Sequence, residues 1–268
     1  MTTGSVRAEM LDVEGGRLYY EVKGRGPTVV LIHGGFGDHR MWNGQWESLA
    51  RYYRVVRYDH RGFGRSTRPE KAYSAVADLV RLLDELGAKT AALVGNSMGG
   101  TMAINFVLQH PERVDRLVVV ASGADGFPIP PETPDEMGAV IATARKEGTQ
   151  AAAERWLKNP MVKVTSRAAA THDLLRQMIV DNREVFLMDH WPEESNDPKA
   201  AARLSEIKAP TLVVLGAEDI DLVLTIGKAT AKGIAGAQLE VIDGADHLPQ
   251  MDAPAKVNAL LREFLGAR

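Results

Sequence analysis

Ser97 stands in Gly95-Asn96-Ser97-Met98-Gly99-Gly100, a Gly-x-Ser-x-Gly pattern that directly follows the apolar run 91–94. A serine hydroxyl is a weak nucleophile until a neighbouring base takes its proton. It must also stand clear of the backbone, and a sharp strand-to-helix turn achieves that. Gly95 and Gly99 lack β-carbons, so the strand before and the helix after can pass close to the turn. The same turn aims the Met98 N–H at the space beside Ser97 Oγ, where it could stabilise an oxyanion; Met98 contributes backbone only. Residues 98–108 are apolar enough for a buried helix, and His110-Pro111 ends it.

Histidine suits the base, because its free pKa lies near operating pH. A buried carboxylate then fixes the imidazole tautomer and stabilises the cation that forms. With a serine on this kind of turn, the chain order is serine, acid, histidine. The histidines downstream of Ser97 are His110, His172, His190 and His247. His110 sits at a helix end before Pro111, and His172 and His190 fall in a helical stretch. His247 follows the last strand in Asp243-Gly244-Ala245-Asp246-His247, at the sheet edge that carries Ser97, and is the expected base. Asp219, in Leu215-Gly216-Ala217-Glu218-Asp219, leaves a strand at that edge and is the expected acid. Glu218 and Asp221 are near enough to compete, and Asp125 is a further rival. A second oxyanion donor is expected from His33-Gly34-Gly35-Phe36-Gly37, from Gly35 or Phe36, with His33 orienting the loop.

The elements that must position these groups follow from periodicity. Residues 7–23 alternate apolar and polar around Glu14-Gly15-Gly16-Arg17, as in a hairpin. Residues 28–32 are a continuous β-branched and apolar run, as expected of a strand covered on both faces, and 54–58, 91–96, 116–121, 209–215 and 238–242 read as further strands. Helical spacing separates them at 41–52, 74–86 and 98–108, and again at 254–265. Strands alternating with helices predict an α/β fold with a mostly parallel sheet. The rhythm breaks over 125–205, where helical segments near 133–147, 149–158 and 167–188 carry no strand. The expected organisation is therefore an α/β core of 1–124 and 206–268 with a helical cap at 125–205. Loops at the carboxyl ends of such strands bind ligands, so an insertion there can serve as a lid. Phe127, Trp156, Met161, Phe186, Met188 and Trp191 are its candidate substrate-binding residues.

Composition narrows the function classes. The chain has 268 residues, 45% hydrophobic, with a net charge of −3, which gives no basic surplus for nucleic acid. It has no cysteine, which excludes disulfides, thiolate nucleophiles and Cys-ligated metals. No zinc-type histidine spacing occurs, and Thr67 stands where a dinucleotide fingerprint would need a later glycine. No metal or cofactor is expected. Without an apolar N-terminal signal or an apolar run of about 18 residues, a cytoplasmic soluble protein without a membrane partner is expected. A homo-oligomer is left open.

The set His33-Gly34-Gly35, Asp59-x-Arg61-Gly62-x-Gly64-x-Ser66, Gly95-Asn96-Ser97-Met98-Gly99-Gly100, Gly216-x-x-Asp219 and Gly244-Ala245-Asp246-His247 resembles the α/β-hydrolase superfamily. The resemblance spans roughly 16–124 and 206–266. It implies an eight-stranded, mostly parallel sheet with helices on both faces, an inserted cap, and a cofactor-free triad of Ser97, Asp219 and His247. Gly-Asn-Ser-Met-Gly-Gly is similar to meta-cleavage-product hydrolases, which cut carbon–carbon bonds. Those usually carry Trp after the catalytic histidine, where Leu248 stands here, and a Ser/Gly/Pro-rich oxyanion loop. The segment 245–249 and the short cap more resemble 3-oxoadipate enol-lactonase-like carboxylesterases. Serine at 97 argues against dehalogenases and epoxide hydrolases, which need a carboxylate there. The leading expectation is a hydrolase of small carboxylic esters or lactones. Second is the carbon–carbon hydrolase. A non-catalytic ligand receptor on the same fold is a third, since fold does not fix function.

Overall fold

The hairpin comes first. Arg7–Val13 (β1) and Gly16–Lys23 (β2) pair antiparallel, and Gly15 between them holds φ +75°, the left-handed turn that favours glycine. The computed structural model describes residues 6–162, 169–187 and 197–267. The remaining strands are Thr28–Ile32 (β3), Arg54–Tyr58 (β4), Ala91–Asn96 (β5), Val114–Val120 (β6), Thr211–Gly216 (β7) and Gln238–Ile242 (β8). All eight form one sheet in the order β1-β2-β4-β3-β5-β6-β7-β8. β3 to β8 run parallel, and β2 joins β4 antiparallel.

Helices cover both faces because the central strands are apolar on both. Along β3, Val30 and Ile32 join one buried cluster while Val29 and Leu31 join the other. The first cluster lies under Ala75–Glu85 (α2), Met98–Gln109 (α3) and Asp221–Gly233 (α8), through Leu79, Leu83, Phe106 and Ala231. The second lies under Asn43–Leu49 (α1) and Pro254–Leu265 (α10), through Trp46, Leu49, Val257 and Leu261. Each fully buried Leu or Phe contributes about 1.5–3 kcal/mol over leaving it exposed. Ser74 caps α2, accepting from Ala77 N–H, and Gly266 in the left-handed region ends α10. Pro249–Asp252 (α9) is a single turn ahead of α10.

Between β6 and β7 the described residues hold helices only: Glu136–Glu147 (α4), Thr149–Trp156 (α5), Ala169–Asp181 (α6) and Arg183–Leu187 (α7). Their buried side chains, among them Val140, Trp156, Leu175 and Met178, continue the second cluster past Phe36 and Met41. The single helix expected over 167–188 is broken at Asn182. That side chain turns inward, donating to Gly37 O at 3.2 Å and accepting from Gly64 N–H. Among the described residues no helix is long and apolar enough to cross a membrane.

Candidate active site

The turn after β5 is as tight as the glycines suggest. Ser97 has φ +50° and ψ −119°, a region that costs a non-glycine residue about 1–3 kcal/mol. Hydrogen bonds hold it there. Ser97 N–H donates to Val120 O, and Ser97 O accepts from Gly100 N, Thr101 N and Ser122 Oγ, the last at 2.6 Å. A β-carbon on Gly95 would lie 2.2 Å from Gly99 O, and one on Gly99 would lie 2.5 Å from Ile32 O.

His247 Nε2 lies 2.8 Å from Ser97 Oγ, and His247 Nδ1 lies 2.8 Å from Asp219 Oδ2. The loops after β7 and β8 are laced together to make this meeting. Ala217 N–H donates to Ile242 O and Glu218 N–H to Ala245 O. Gly216 is needed for the close pass, since a β-carbon there would sit 2.1 Å from Asp246 O. Asp219 is buried, and its other oxygen accepts from Ile220 N–H. Asn96 Nδ2 donates both to His247 O, at 3.0 Å, and to Val120 O, tying the histidine loop to the turn. The rival acids are elsewhere. Glu218 and Asp221 are exposed, while Asp125 pairs with Lys199 Nζ at 3.3 Å and accepts from Ala200 N–H.

Gly34 to Gly37 form a turn closed by Gly37 N–H to Gly34 O, with Phe36 at φ +59°. The N–H groups of Gly35, Phe36 and Met98 have no hydrogen-bond partner among the described residues. Gly35 and Phe36 face the cavity at Ser97. His33 braces the turn: its Nε2 accepts from His60 N–H at 2.9 Å, so its Nδ1 carries the proton given to Gly34 O. Burial lowers the His33 pKa below the ordinary histidine value and keeps the ring neutral.

The cavity at Ser97 holds about 20 Å³, room for about one water. Trp156 and Met161 line it, and Met161 O also accepts from His247 N–H. Phe186 does not line it; its ring packs on Phe36 at 5.4 Å, while Trp156 meets Phe36 edge-on at 5.2 Å. Phe127 does not line it either. The chain leaving β6 is pinned by Ala201 N–H to Asp125 O, which sets Phe127 against the cluster under α2, α3 and α8. Met188 and Trp191 lie outside the described residues. Met137 and Leu175, which line the cavity, were not expected. Their helices are amphipathic, but periodicity cannot tell a face packed on neighbours from one turned to a cavity. Asn96 was within reach, since it sits inside the glycine-serine pattern.

One group among the described residues, Asp38, His39 and Asp59, has oxygens and a ring nitrogen close enough for a cation. Its acceptors are already occupied. Asp59 Oδ1 takes His39 N and Nδ1, Asp59 Oδ2 takes Arg65 N, and Asp38 takes the Arg40 guanidinium. Burial pushes the Asp38 pKa up, but Arg40 more than offsets it, and the carboxyl lies below its ordinary value.

The family described as the alpha/beta hydrolase fold matches residues 27–254. The chain belongs to the α/β-hydrolase fold family. A 2-hydroxy-6-oxononadienedioate/2-hydroxy-6-oxononatrienedioate hydrolase of Paraburkholderia phymatum is 30% identical, over 95% of this α/β hydrolase and 93% of its own length. A thermophilic esterase from Thermogutta terrifontis has a TM-score of 0.81 and 28% identity, covering 97% of this chain and 98% of its own. Est816, described as an N-acyl homoserine lactone degrading enzyme, has a TM-score of 0.77 and 30% identity, covering 96% and 100%. These similar proteins include both an esterase and a hydrolase named for an oxo-dienedioate.

Proposed function

We propose that this α/β hydrolase cleaves small carboxylic esters or lactones through an acyl-enzyme on Ser97. The observation that carries the reading is the unbroken line Ser97 Oγ, His247 Nε2, His247 Nδ1, Asp219 Oδ2, with 2.8 Å at each gap. In this reading His247 Nε2 takes the Ser97 proton as Oγ bonds to the substrate carbonyl carbon. Asp219 accepts from Nδ1–H and stabilises the imidazolium. The carbonyl oxygen becomes an oxyanion between Met98 N–H and the N–H of Phe36 or Gly35, each donor contributing about 3–4 kcal/mol. His247 then protonates the leaving oxygen as the carbon–oxygen bond breaks. A water, deprotonated by His247, releases the acid and returns the proton to Ser97. The helical stretch 125–205 acts as the lid, with Trp156 and Met161 against the substrate. A cavity with room for about one water requires that lid to shift for substrate to enter.

A carbon–carbon hydrolase with the same triad is the second reading, and the Paraburkholderia phymatum relative favours it. Against it, no lysine or arginine among the described residues lines the Ser97 cavity to pair with a dienoate carboxylate. Leu248 also follows His247 in place of tryptophan. Both the thermophilic esterase and Est816 support the ester or lactone reading. The deciding experiment is a panel of p-nitrophenyl esters beside a 2-hydroxy-6-oxo-dienoate. Ester turnover that disappears in Ser97→Ala is expected. Cleavage of the dienoate with every ester left intact overturns the ester reading in favour of the second.

A further inference from the structure

Asn182 stands at the break between α6 and α7, yet it is 2% exposed, because its side chain reaches two core loops. Its Nδ2 donates to Gly37 O at 3.2 Å, and its Oδ1 accepts from Gly64 N–H. These partners lie 145 and 118 positions away, so the amide is not closing a local turn. Neither Gly37 O nor Gly64 N–H has another partner among the described residues. A carboxamide gives one of these bonds and takes the other, whereas a carboxylate lacks the donor and an apolar side chain lacks both.

Gly37 ends the turn whose Gly35 and Phe36 face the cavity at Ser97. That turn is held by a carbonyl at each end. Where the chain enters, Gly34 O accepts from His33 Nδ1, and His33 Nε2 accepts from His60 N–H. Where it leaves, Gly37 O accepts from Asn182, which also takes Gly64 N–H. Both straps therefore lead to the same neighbouring loop, 59–66, one through His33 and one through Asn182. Between them Phe36 holds φ +59°, a conformation that persists only where the surroundings fix it.

We infer that Asn182 is a positioning residue for the oxyanion: its amide sets the Gly34–Gly37 turn so that the backbone donors there meet the developing charge. The inference rests on the serine-hydrolase reading above. Such donors act most strongly in the transition state, so losing their alignment lowers kcat more than it raises KM. Asp181, one residue earlier, has a different role. It meets Arg40 at 2.8 Å with its side chain 40% exposed, and Arg40 is bound to Asp38, beyond the turn. A solvent-exposed pair of this kind contributes little. Asp181 thus tethers α6 to the core, whereas Asn182 fixes the turn itself.

Steady-state hydrolysis of p-nitrophenyl butyrate tests it, beside inhibition by an alkyl trifluoromethyl ketone. That ketone adds to Ser97 Oγ, the serine proton passes to His247, and the carbonyl oxygen becomes an oxyanion in the site. Asn182→Ala is expected to lower kcat about 10- to 100-fold with KM within about twofold, and to raise the ketone Ki by a similar factor. Asp181→Asn should keep kcat within about twofold of the wild type. Asn182→Asp should match the alanine variant at pH 8 and recover toward the wild-type kcat as pH falls, because a protonated carboxyl regains a donor for Gly37 O. An unchanged kcat in Asn182→Ala overturns the inference, and so does an equal loss in Asp181→Asn. Should the alanine variant fail to fold, Asn182→Asp decides, and a deficit that stays constant with pH overturns the inference. Fluorophosphonate labelling of wild-type Ser97 separates the two levels. Labelled Ser97 with a full kcat in Asn182→Ala overturns the positioning role alone, whereas unlabelled Ser97 overturns the serine reading beneath it.

Discussion

Around Ser97 the chain meets itself backbone to backbone. Gly95 abuts Gly99, Gly99 abuts Ile32, and Gly216 abuts Asp246, each so closely that a β-carbon would fall 2.1–2.5 Å from a carbonyl oxygen. Helices α4 to α7 meet the core differently. Their contacts run mainly through side chains, Trp156 and Phe186 on the Phe36 ring, Asn182 on Gly37 and Gly64, and Arg40 on Asp181 at 2.8 Å, with one backbone bond, Met161 O to His247 N–H, between α5 and α6. The difference sets what each region can tolerate. Backbone contacts have no rotamers to relax into, so the elbow keeps one geometry. Side-chain contacts can be exchanged one at a time, so substitutions on α4 to α7 should be tolerated more readily than at the elbow.

That contrast can be broken or sharpened experimentally. Removing the elbow's chemistry gives the largest effect. Ser97→Ala and His247→Ala should each lower kcat by about 10⁵- to 10⁶-fold with the fold intact, read from ester hydrolysis and circular dichroism. Asp219→Asn comes next, with a loss of about 10⁴-fold in kcat, because His247 loses the acceptor that fixes its tautomer. If Asp219→Asn hydrolyses esters at a near-wild-type rate, the acid lies elsewhere.

Stability changes are smaller and should divide by region. Gly95→Ala forces a β-carbon onto Gly99 O and should cost about 3 kcal/mol. That is a fall in Tm of roughly 6–12 °C by calorimetry. Asn182→Ala removes one bond to each of two core loops and should cost about 1–2 kcal/mol, a fall of roughly 2–8 °C. Equal losses from the two variants would remove the distinction between the regions.

The gentlest lever is pH. Burial depresses both His33 and His60 in the folded chain. The unfolded chain therefore binds these protons first, near the free value of about 6.5. Stability from this source is complete above that pH and declines as pH falls below it toward the folded pKa values. Thermal melts between pH 7.5 and 5 should show the decline, and His60→Gln should flatten it. A wild-type Tm that holds steady over that range would show that the two rings can be protonated in place.

Much of the fold was legible because burial writes itself into periodicity. The strands and the helices α1, α2, α3 and α10 each follow a run or a stripe in the sequence, whereas α8 over Asp221–Gly233 was not expected. The break over 125–205 was legible too, as a loss of strands. What that stretch does with its side chains was not. Phe127 and Phe186 are as apolar as Trp156, yet one packs under α2, α3 and α8, one packs on Phe36, and only Trp156 reaches the cavity. Apolar content says that a residue is buried, not which neighbour buries it.

The same limit divides the site. Glycine spacing and the order Ser97, Asp219, His247 depend on backbone clearance and strand succession, which are properties of the linear chain. By itself, therefore, the sequence determined which edge of the sheet carries the serine, the carboxylate and the imidazole. Only the tertiary structure decided that the 2.8 Å gaps close and that Asn96 ties the histidine loop to the elbow. Those features join residues up to 151 positions apart. No local pattern fixes distances between side chains on separate strands; the packing of the whole sheet and its helices does.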